Sequence, residues 1–291
     1  MSSDSIARFR RFARAVTAEV GTLDSSFLGR GRPLGAARVV NAIGAGLTDV
    51  AEIRTYLNLD SGLMSRLLRS LEDEGLVTTE PHPDDARRRI ARLTEAGGRE
   101  FSAYEDLSDA RASALLERAP RAEELLRAMD LVALTLGRDR IAIKEADPRS
   151  EAARFCLEAY YAELARRLET GFDVTLSCDP EAEAMVRPRG AFLLAMADGL
   201  PVGCVGLKGS GGAIAEVKRL WIAPAARGFG LARRLMQAVE TAARDLAIAV
   251  LRLDTNSALP EALALYRKTG WVEIARFNDD PYPDHFFEKT L

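Results

Sequence analysis

The stretch APAARGFGLARRLMQAVE, residues 223–240, sets Arg227, Gly230 and Ala232 at the spacing R-x-x-G-x-A just ahead of an amphipathic helix. In that helix Leu231, Leu235, Val239, Ala242 and Leu246 make one continuous apolar face, so its first turn begins around Phe229–Leu231. The N–H groups of a first turn have no intrahelical acceptor and sit at the positive end of the helix dipole. Gly230 lets an anion approach that backbone closely, Arg227 adds a cation, and Ala232 keeps bulk away. The chemistry on offer is the binding of a pyrophosphate, although the same spacing also serves as an ordinary helix start.

A different chemistry is written upstream. Thr48 or Asp49 can cap a short helix whose Val50, Ile53 and Leu57 share a face, and after the turn NLD, Asp60 or Ser61 can cap a second, SGLMSRLLRSLEDEG. In this second helix Leu63, Met64, Leu67, Leu68 and Leu71 gather on one side, leaving Ser61, Gly62, Ser65, Arg66 and Arg69 on the other. Two short helices joined by a tight turn, with small polar and Arg residues outward, match a helix-turn-helix. Leu76–Thr79 and Ile90–Leu93 read as short strands, and the hairpin between them carries Asp84, Asp85, Arg87, Arg88 and Arg89. A basic wing of this kind can enter a minor groove, where the negative potential favours Arg.

The elements around these residues fall into two segments. With 291 residues the chain has room for two domains, and its 47% hydrophobic and 29% charged content is that of an ordinary globular protein. Residues 1–140 draw all their positive charge from Arg, and lysine begins only at Lys144. Helices over about 5–28 and 98–137 flank the helix-turn-helix and suit a dimerisation layer, which would present two reading helices to a two-fold operator. Gly137 ends the last of these, and RIAIKEAD then alternates as a strand, so the boundary is expected at 138/139. Beyond it come a helix over about 150–169, two strands joined at Asp198-Gly199, a strong hairpin signal, and the strand AIAEVKRLWIAP leading into the loop. That strand sets Glu216, Lys218, Leu220 and Ile222 against Val217, Arg219 and Trp221. After the loop helix follow a further strand, IAVLRLDT, and the helix EALALYRKTGW.

Net charge is −3, which does not advertise a nucleic-acid binder, and no apolar run is long enough to span a bilayer. The N-terminus has no signal-like apolar core. Cys156, Cys178 and Cys204 are odd in number and widely spaced, and with only two histidines neither a disulfide framework nor a metal site is expected. A reducing cytoplasm fits this composition.

The N-terminal segment, over about residues 5–138, resembles the MarR family of winged-helix regulators on LDSGLMSRLLRSLEDEGLV and DDARRRIARLTEAG. The resemblance implies a dimer whose Ser61, Ser65, Arg66 and Arg69 face the major groove of an operator, with Arg87 on the wing and Arg89 beside it. The C-terminal segment, over about residues 140–291, resembles the GNAT family of acetyl-CoA-dependent N-acetyltransferases on AEVKRLWIAPAARGFGLA and EALALYRKTGW. That resemblance implies a pyrophosphate grip by the backbone of Gly228, Phe229, Gly230, Leu231 and Ala232, and pairing of the strand Leu220, Trp221, Ile222 with the pantetheine arm. It also implies Glu216 as general base, Tyr266 as the acid that protonates the leaving thiolate, and Asn256 as a cofactor contact. The family often has Asn seven residues before the Tyr, where this chain has Leu259.

Phe172 and Asp173 are further candidates for the acceptor pocket, and His285 for a second base or a residue of that pocket. Glu216 pairing with Lys218 or Arg219, and Tyr266 and His285 as structural residues, are the alternatives. The expected architecture is therefore an α-rich winged helix with a small β wing (1–138), followed by an α/β domain with a mixed, mostly antiparallel sheet flanked by helices (139–291). The expected function joins operator binding to acetyl transfer onto a small amine or amino acid, with no membrane and no metal. The alternative is a regulator whose second domain only senses acetyl-CoA.

Overall fold

A computed structural model of the chain describes residues 3–169, 171–173 and 182–291. Cys178 lies outside the described residues. By internal packing the chain divides into two compact units, residues 1–122 and 123–291.

The first unit is helical with a two-stranded wing: α1 (Ser3–Val20), α2 (Leu34–Gly44), α3 (Val50–Tyr56), α4 (Ser61–Asp73), β1 (Val77–His82), β2 (Asp85–Leu93) and α5 (Glu95–Glu117). Asp49 caps α3 by accepting from the amides of Ala51 and Glu52, and Asp60 caps α4 by accepting from Leu63. The amphipathic period of α4 does what the sequence requires. Met64, Leu68 and Leu71 are buried against Val39, Val40 and Ile43 of α2, and the polar side is left in water. The helix α2 was not anticipated; its run LGAARVVNAIG supplies the centre of this core. The strands of the wing are longer than expected and pair antiparallel from Val77↔Leu93 out to His82↔Asp85.

The second unit takes in α6 (Ala122–Gly137) from its second residue on and continues β3 (Ala142–Glu145), α7 (Glu151–Arg167), β4 (Ala191–Ala197), β5 (Leu200–Gly209), β6 (Ile214–Ile222), α8 (Leu231–Asp245), β7 (Val250–Thr255), α9 (Pro260–Lys268), β8 (Val272–Glu273) and β9 (His285–Thr290). The division at 122/123 differs from the expected 138/139. The expected helix over 98–137 is two helices, α5 and α6, broken around Pro120, which has no N–H to donate. Downstream of the break, Leu134 of α6 buries itself in the second unit's core beside Ile141 and Ala195.

The sheet runs β3-β4-β5-β6-β7-β9-β8, antiparallel throughout except for the β6–β7 pair. Asp198 and Gly199 turn β4 into β5 with positive φ at both positions, 46° and 87°, as a two-residue hairpin requires. Helices α8 and α9 cover one face and α7 the other.

Two irregularities shape the middle of this sheet. The register of β6 against β5 slips by one residue between Gly206↔Lys218 and Cys204↔Trp221, a bulge at which Arg219 has φ 59°. The extra residue reverses the alternation expected from the sequence. Ala215 and Val217 face the α8 side before it, and Leu220 and Ile222 face that side after it, with Trp221 turned to α7. The parallel pairing of β6 with β7 runs only from Ile214↔Val250 to Glu216↔Arg252. Beyond that point the strands part, and the gap opens between them.

The join between the wing and α5 has no slack. A Cβ on Gly97 would stand 1.9 Å from the carbonyl oxygen of Leu76. The Gly97→Ala chain should therefore lose about 2 kcal/mol or more of stability in the first unit, the cost of overpacking against fixed backbone. Scanning calorimetry should show that unit's transition moved down and the second unit's unmoved.

Candidate active site and nucleic-acid interface

The strand β6 ends at Ile222, and one turn over Pro224–Ala226 delivers the chain to Arg227. Gly228 and Gly230 both take positive φ, 84° and 74°, and Gly230 is the residue from which α8 starts, with no side chain capping it. The amides from Gly228 to Arg233 make no hydrogen bond within the described residues. They border a cleft lined by Leu220, Trp221 and Ile222 of β6, Leu231 and Ala232 of α8, Tyr160 and Leu164 of α7, and Leu259, Ala262 and Leu265 around α9.

The side of this cleft is held by a buried carboxylate. Glu163 of α7 accepts from the Arg227 guanidinium at 2.5 Å and from the Trp221 indole N–H at 3.2 Å through Oε2, and from Arg167 at 3.1 Å through Oε1. Arg167 also donates to Glu261 of α9 at 2.9 Å and to the carbonyl of Ala258 at 3.1 Å. Its guanidinium is held above its ordinary pKa, first by the hydrogen bond to Glu261 and against the cost of burial.

The cleft continues into a pocket between the parted strands, with Tyr160, Leu164, Leu220, Leu259 and Ala262 lining both. Lys218 of β6 and Asp254 of β7 face each other there at 2.6 Å, each with a side chain only 9% exposed. The Lys218 ammonium also lies 3.3 Å from Glu216, and these two carboxylates raise its pKa although burial opposes them. Tyr266 is buried, packed on Trp271 and Phe287. Its hydroxyl has no hydrogen-bond partner among the described residues, and neither has that of half-buried Tyr160. Burial, then the charge of Asp254, pushes the Tyr266 phenol well above its ordinary range; burial does the same to Tyr160. Both rings are therefore neutral donors at any physiological pH.

In the first unit the exposed side of α4 carries Ser61, Gly62, Ser65, Arg66, Arg69 and Ser70. The Ser65 hydroxyl donates to the Ser61 carbonyl at 2.8 Å, and Arg69 reaches the Ser65 carbonyl at 3.3 Å. Along the wing, neighbouring arginines do different jobs. Arg88 donates to the N-capping Asp49 at 2.8 Å, Arg92 pairs with Glu80 at 3.0 Å, and Arg89 bonds Thr79, which in turn bonds Glu72. The Arg87 side chain is exposed to solvent.

Two family models match this chain: the acetyltransferase (GNAT) family over residues 156–271 and the MarR family over residues 30–88. An IAA acetyltransferase of Azospirillum brasilense is 36% identical over 117 residues, a span that covers 38% of this chain and 74% of that protein. The chain belongs to the GNAT acetyltransferase family, with a MarR-family segment ahead of it. An N-acetyltransferase of Escherichia coli, otherwise uncharacterised, is 31% identical over 120 residues, covering 39% of this chain and 70% of its own length. Among solved structures, an acyl-CoA N-acyltransferase assigned from Klebsiella pneumoniae matches with TM-score 0.41 at 25% identity, over 52% of this chain and 97% of its own.

Within the GNAT unit, most residues read from the loop and strand do line the cleft: Leu220, Trp221, Ile222, Arg227, Gly228, Gly230, Leu231 and Ala232. Phe229 instead packs against the α8 core, where it anchors the loop. Asn256 has both ends of its amide occupied, donating to the Tyr282 carbonyl at 2.6 Å and accepting from Ala258 at 2.8 Å. It pins the corner between β7 and α9 and lines the pocket there. Glu216 lies one ion pair behind the pocket wall, through Lys218. Phe172 does line the pocket, whereas Asp173 contributes its backbone, bonding Tyr282 through N–H at 2.8 Å. His285 is removed from the site: it lies on the Phe287 side of β9, bonded to Glu273 of β8 at 2.6 Å. On β9 His285 pairs with Thr255 and Phe286 with Asp254, and neither His285 nor Phe286 lines the pocket. Glu163, Arg167, Tyr160, Asp254 and Glu261 were not anticipated. No helix among the described residues is long and apolar enough to cross a membrane.

Within the MarR unit, Ser61, Ser65, Arg66, Arg69 and Arg87 face water as expected, and Arg89 is drawn into the pairing with Thr79 and Glu72. Asp49 has its carboxyl held below the usual range: burial pushes it up, but the amides of Glu52 and Ala51 and the Arg88 guanidinium outweigh burial. A lowered folded-state pKa stabilises above the unfolded carboxylate value, near 4, and that stability is lost as pH falls through the folded value. Arg88→Ala should cost this unit about 1 kcal/mol at neutral pH and flatten its loss of thermal stability below pH 4, while Arg87→Ala should leave both unchanged. Melting curves from pH 7 to pH 2.5 check it.

Proposed function

We propose that the protein is a homodimeric, operator-binding regulator of the cytoplasm whose second unit transfers an acetyl group from acetyl-CoA to a small amine or amino acid. One observation carries the enzymatic half: a single continuous cleft runs from the unbonded amides of Gly228–Arg233 to the partnerless hydroxyls of Tyr160 and Tyr266. A pyrophosphate satisfies the first, and a thiolate leaving group needs the second.

In this reading Leu220–Ile222, whose β7-facing edge is free past the bulge, pairs with the pantetheine arm, and acetyl-CoA supplies the thioester. One carboxylate of the pair on Lys218, Glu216 or Asp254, takes the ammonium proton, and Tyr266 protonates the departing sulfur. Arg227 enters as a cation already shared with Glu163, so its contribution to phosphate binding is modest. The regulatory half rests on the exposed Ser61, Ser65, Arg66 and Arg69 of α4, with Arg87 on the wing as a minor-groove contact. The dimer rests on α1, where Ile6, Phe9, Phe12 and Val16 form one exposed apolar stripe, 40–63% accessible.

Thiol release in the presence of an amine panel tests the enzyme. Tyr266→Phe should lower kcat by about a hundredfold with acetyl-CoA affinity unchanged. Binding of acetyl-CoA without thiol release from any amine would make the second unit a sensor instead. On a selected DNA site, Arg66→Ala with Arg69→Ala should reduce the slope of log affinity against log salt by about 2, one for each phosphate no longer neutralised. An unchanged slope would remove this face from the interface.

A further inference from the structure

The pocket between β6 and β7 has two chemically unlike ends. At one end stands Asp254. Both of its side-chain hydrogen bonds, from the Lys218 ammonium at 2.6 Å and the Asn278 side-chain amide at 2.6 Å, fall on Oδ2. Oδ1 has no hydrogen-bond partner among the described residues, although the side chain is only 9% exposed. Oδ1 keeps access to the pocket that Asp254 lines, and a carboxylate oxygen there is a ready acceptor for a ligand's donor. The surrounding charge adds to this, since the carboxylates of Glu216, Asp254 and Asp280 outnumber the cations Lys218 and Arg219 by one.

At the other end is a wall of rings. Phe172 stacks on Tyr161, centroids 5.7 Å apart and planes 17° apart, and leans on Tyr282 at 4.7 Å. The Tyr282 hydroxyl is fixed to the backbone of Asp173, so the wall is held from the loop that follows α7. Leu164, Leu168 and Pro283 complete the apolar surface. The cations that line the pocket are already engaged. Lys218 sits between two carboxylates, and Arg219 turns into the layer beneath α7, 3.7 Å from the sulfur of Met185.

We infer that Asp254 Oδ1 receives the acceptor's ammonium group and that the acceptor is an arylalkylamine without a carboxylate. The inference rests on the acetyltransferase reading and narrows it. An ammonium meets Asp254 through a charge-assisted hydrogen bond, and a flat ring on a short alkyl link reaches Phe172 and Tyr282. An amino-acid carboxylate would have to enter the same pocket against its net negative charge and with its cations taken. In the reaction the ammonium gives one proton to Asp254 Oδ1, the freed nitrogen bonds to the acetyl carbon, and the C–S bond breaks. The sulfur takes a proton from Tyr266. The nitrogen's second proton restores Tyr266 through the pocket, and the proton on Asp254 passes to water, one released per turnover. Asp254 is thereby a catalytic residue, with Lys218 positioning it and Glu216 positioning Lys218.

The test compares 2-phenylethylamine, n-butylamine and phenylalanine as acceptors for the full-length protein, reading free thiol. The expected kcat/KM for 2-phenylethylamine exceeds each of the others by about tenfold or more, the worth of one well-packed ring or one rejected charge. Phe172→Ala, on a half-buried loop residue, should bring the aryl and butyl amines to within about threefold of each other. Asp254→Asn should raise KM for 2-phenylethylamine about tenfold or more while acetyl-CoA binding stays within about twofold. Equal or better use of butylamine or phenylalanine by the wild type overturns the inference and leaves the enzyme standing. Should no amine release thiol, calorimetric titration of 2-phenylethylamine into the CoA-loaded protein decides: binding that Asp254→Asn weakens about tenfold upholds the ammonium subsite, and absent or equal binding overturns it.

Discussion

Everything chemical in the second unit follows from two parallel strands that stop pairing. The strands β6 and β7 share only the residues from Ile214↔Val250 to Glu216↔Arg252. A sheet cannot part in mid-strand without a reason, since each unpaired N–H and C=O must find water or another partner. Here the reason is the bulge at Arg219. The extra residue bends β6 away from β7, and the strain of a positive φ at a residue other than glycine is offset by local bonds. The thiol of Cys204 donates to the Arg219 carbonyl at 3.3 Å, and the Arg219 guanidinium lies against Met185. The bent strand then leads directly to Arg227 and the glycine turn, so the same irregularity opens the pocket and aims the α8 N-terminus at its mouth.

The electrostatics of the opening are set by a shared carboxylate rather than by a lone cation. Glu163 is almost wholly buried, yet it accepts from Trp221, Arg227 and Arg167, which is the condition under which a buried charge is tolerated. Each donor comes from a different place: β6, the loop, and one turn further along α7. Arg167 carries the connection across to Glu261 on α9. The cleft is therefore held at a fixed width by ion pairs between its own walls, and the loop's remaining attraction for an anion comes from backbone amides.

How far the sequence foretold this depends on whether a residue's role is local. The outward face of α4 was legible because Met64, Leu68 and Leu71 alone fix which side faces water. The loop was legible because a strand, two glycines and an amphipathic helix follow one another within one short stretch. Glu163 and Asp254 were not, since a single polar residue in an otherwise regular helix or strand carries no period, and its partners arrive from elements far away in the chain. Parity misled at β6, where a one-residue bulge reverses the faces, and His285 carried no local signal that its partner would be Glu273 of β8. Wing arginines are alike as letters, and only the pairing register separates Arg88, bonded to Asp49, from Arg87 in solvent.

The central claim is that a ligand's phosphates and extended arm lie on Gly228–Arg233 and Leu220–Ile222. Hydrogen–deuterium exchange of the full-length protein with and without acetyl-CoA addresses it directly, because the loop amides make no hydrogen bond among the described residues of the free protein, and Leu220–Ile222 of β6 pairs with β5 but not with β7. The account predicts that acetyl-CoA slows exchange in peptides covering these two stretches while peptides covering β8 and β9 are unchanged. Protection that leaves Gly228–Arg233 untouched, or that falls chiefly elsewhere, would contradict it.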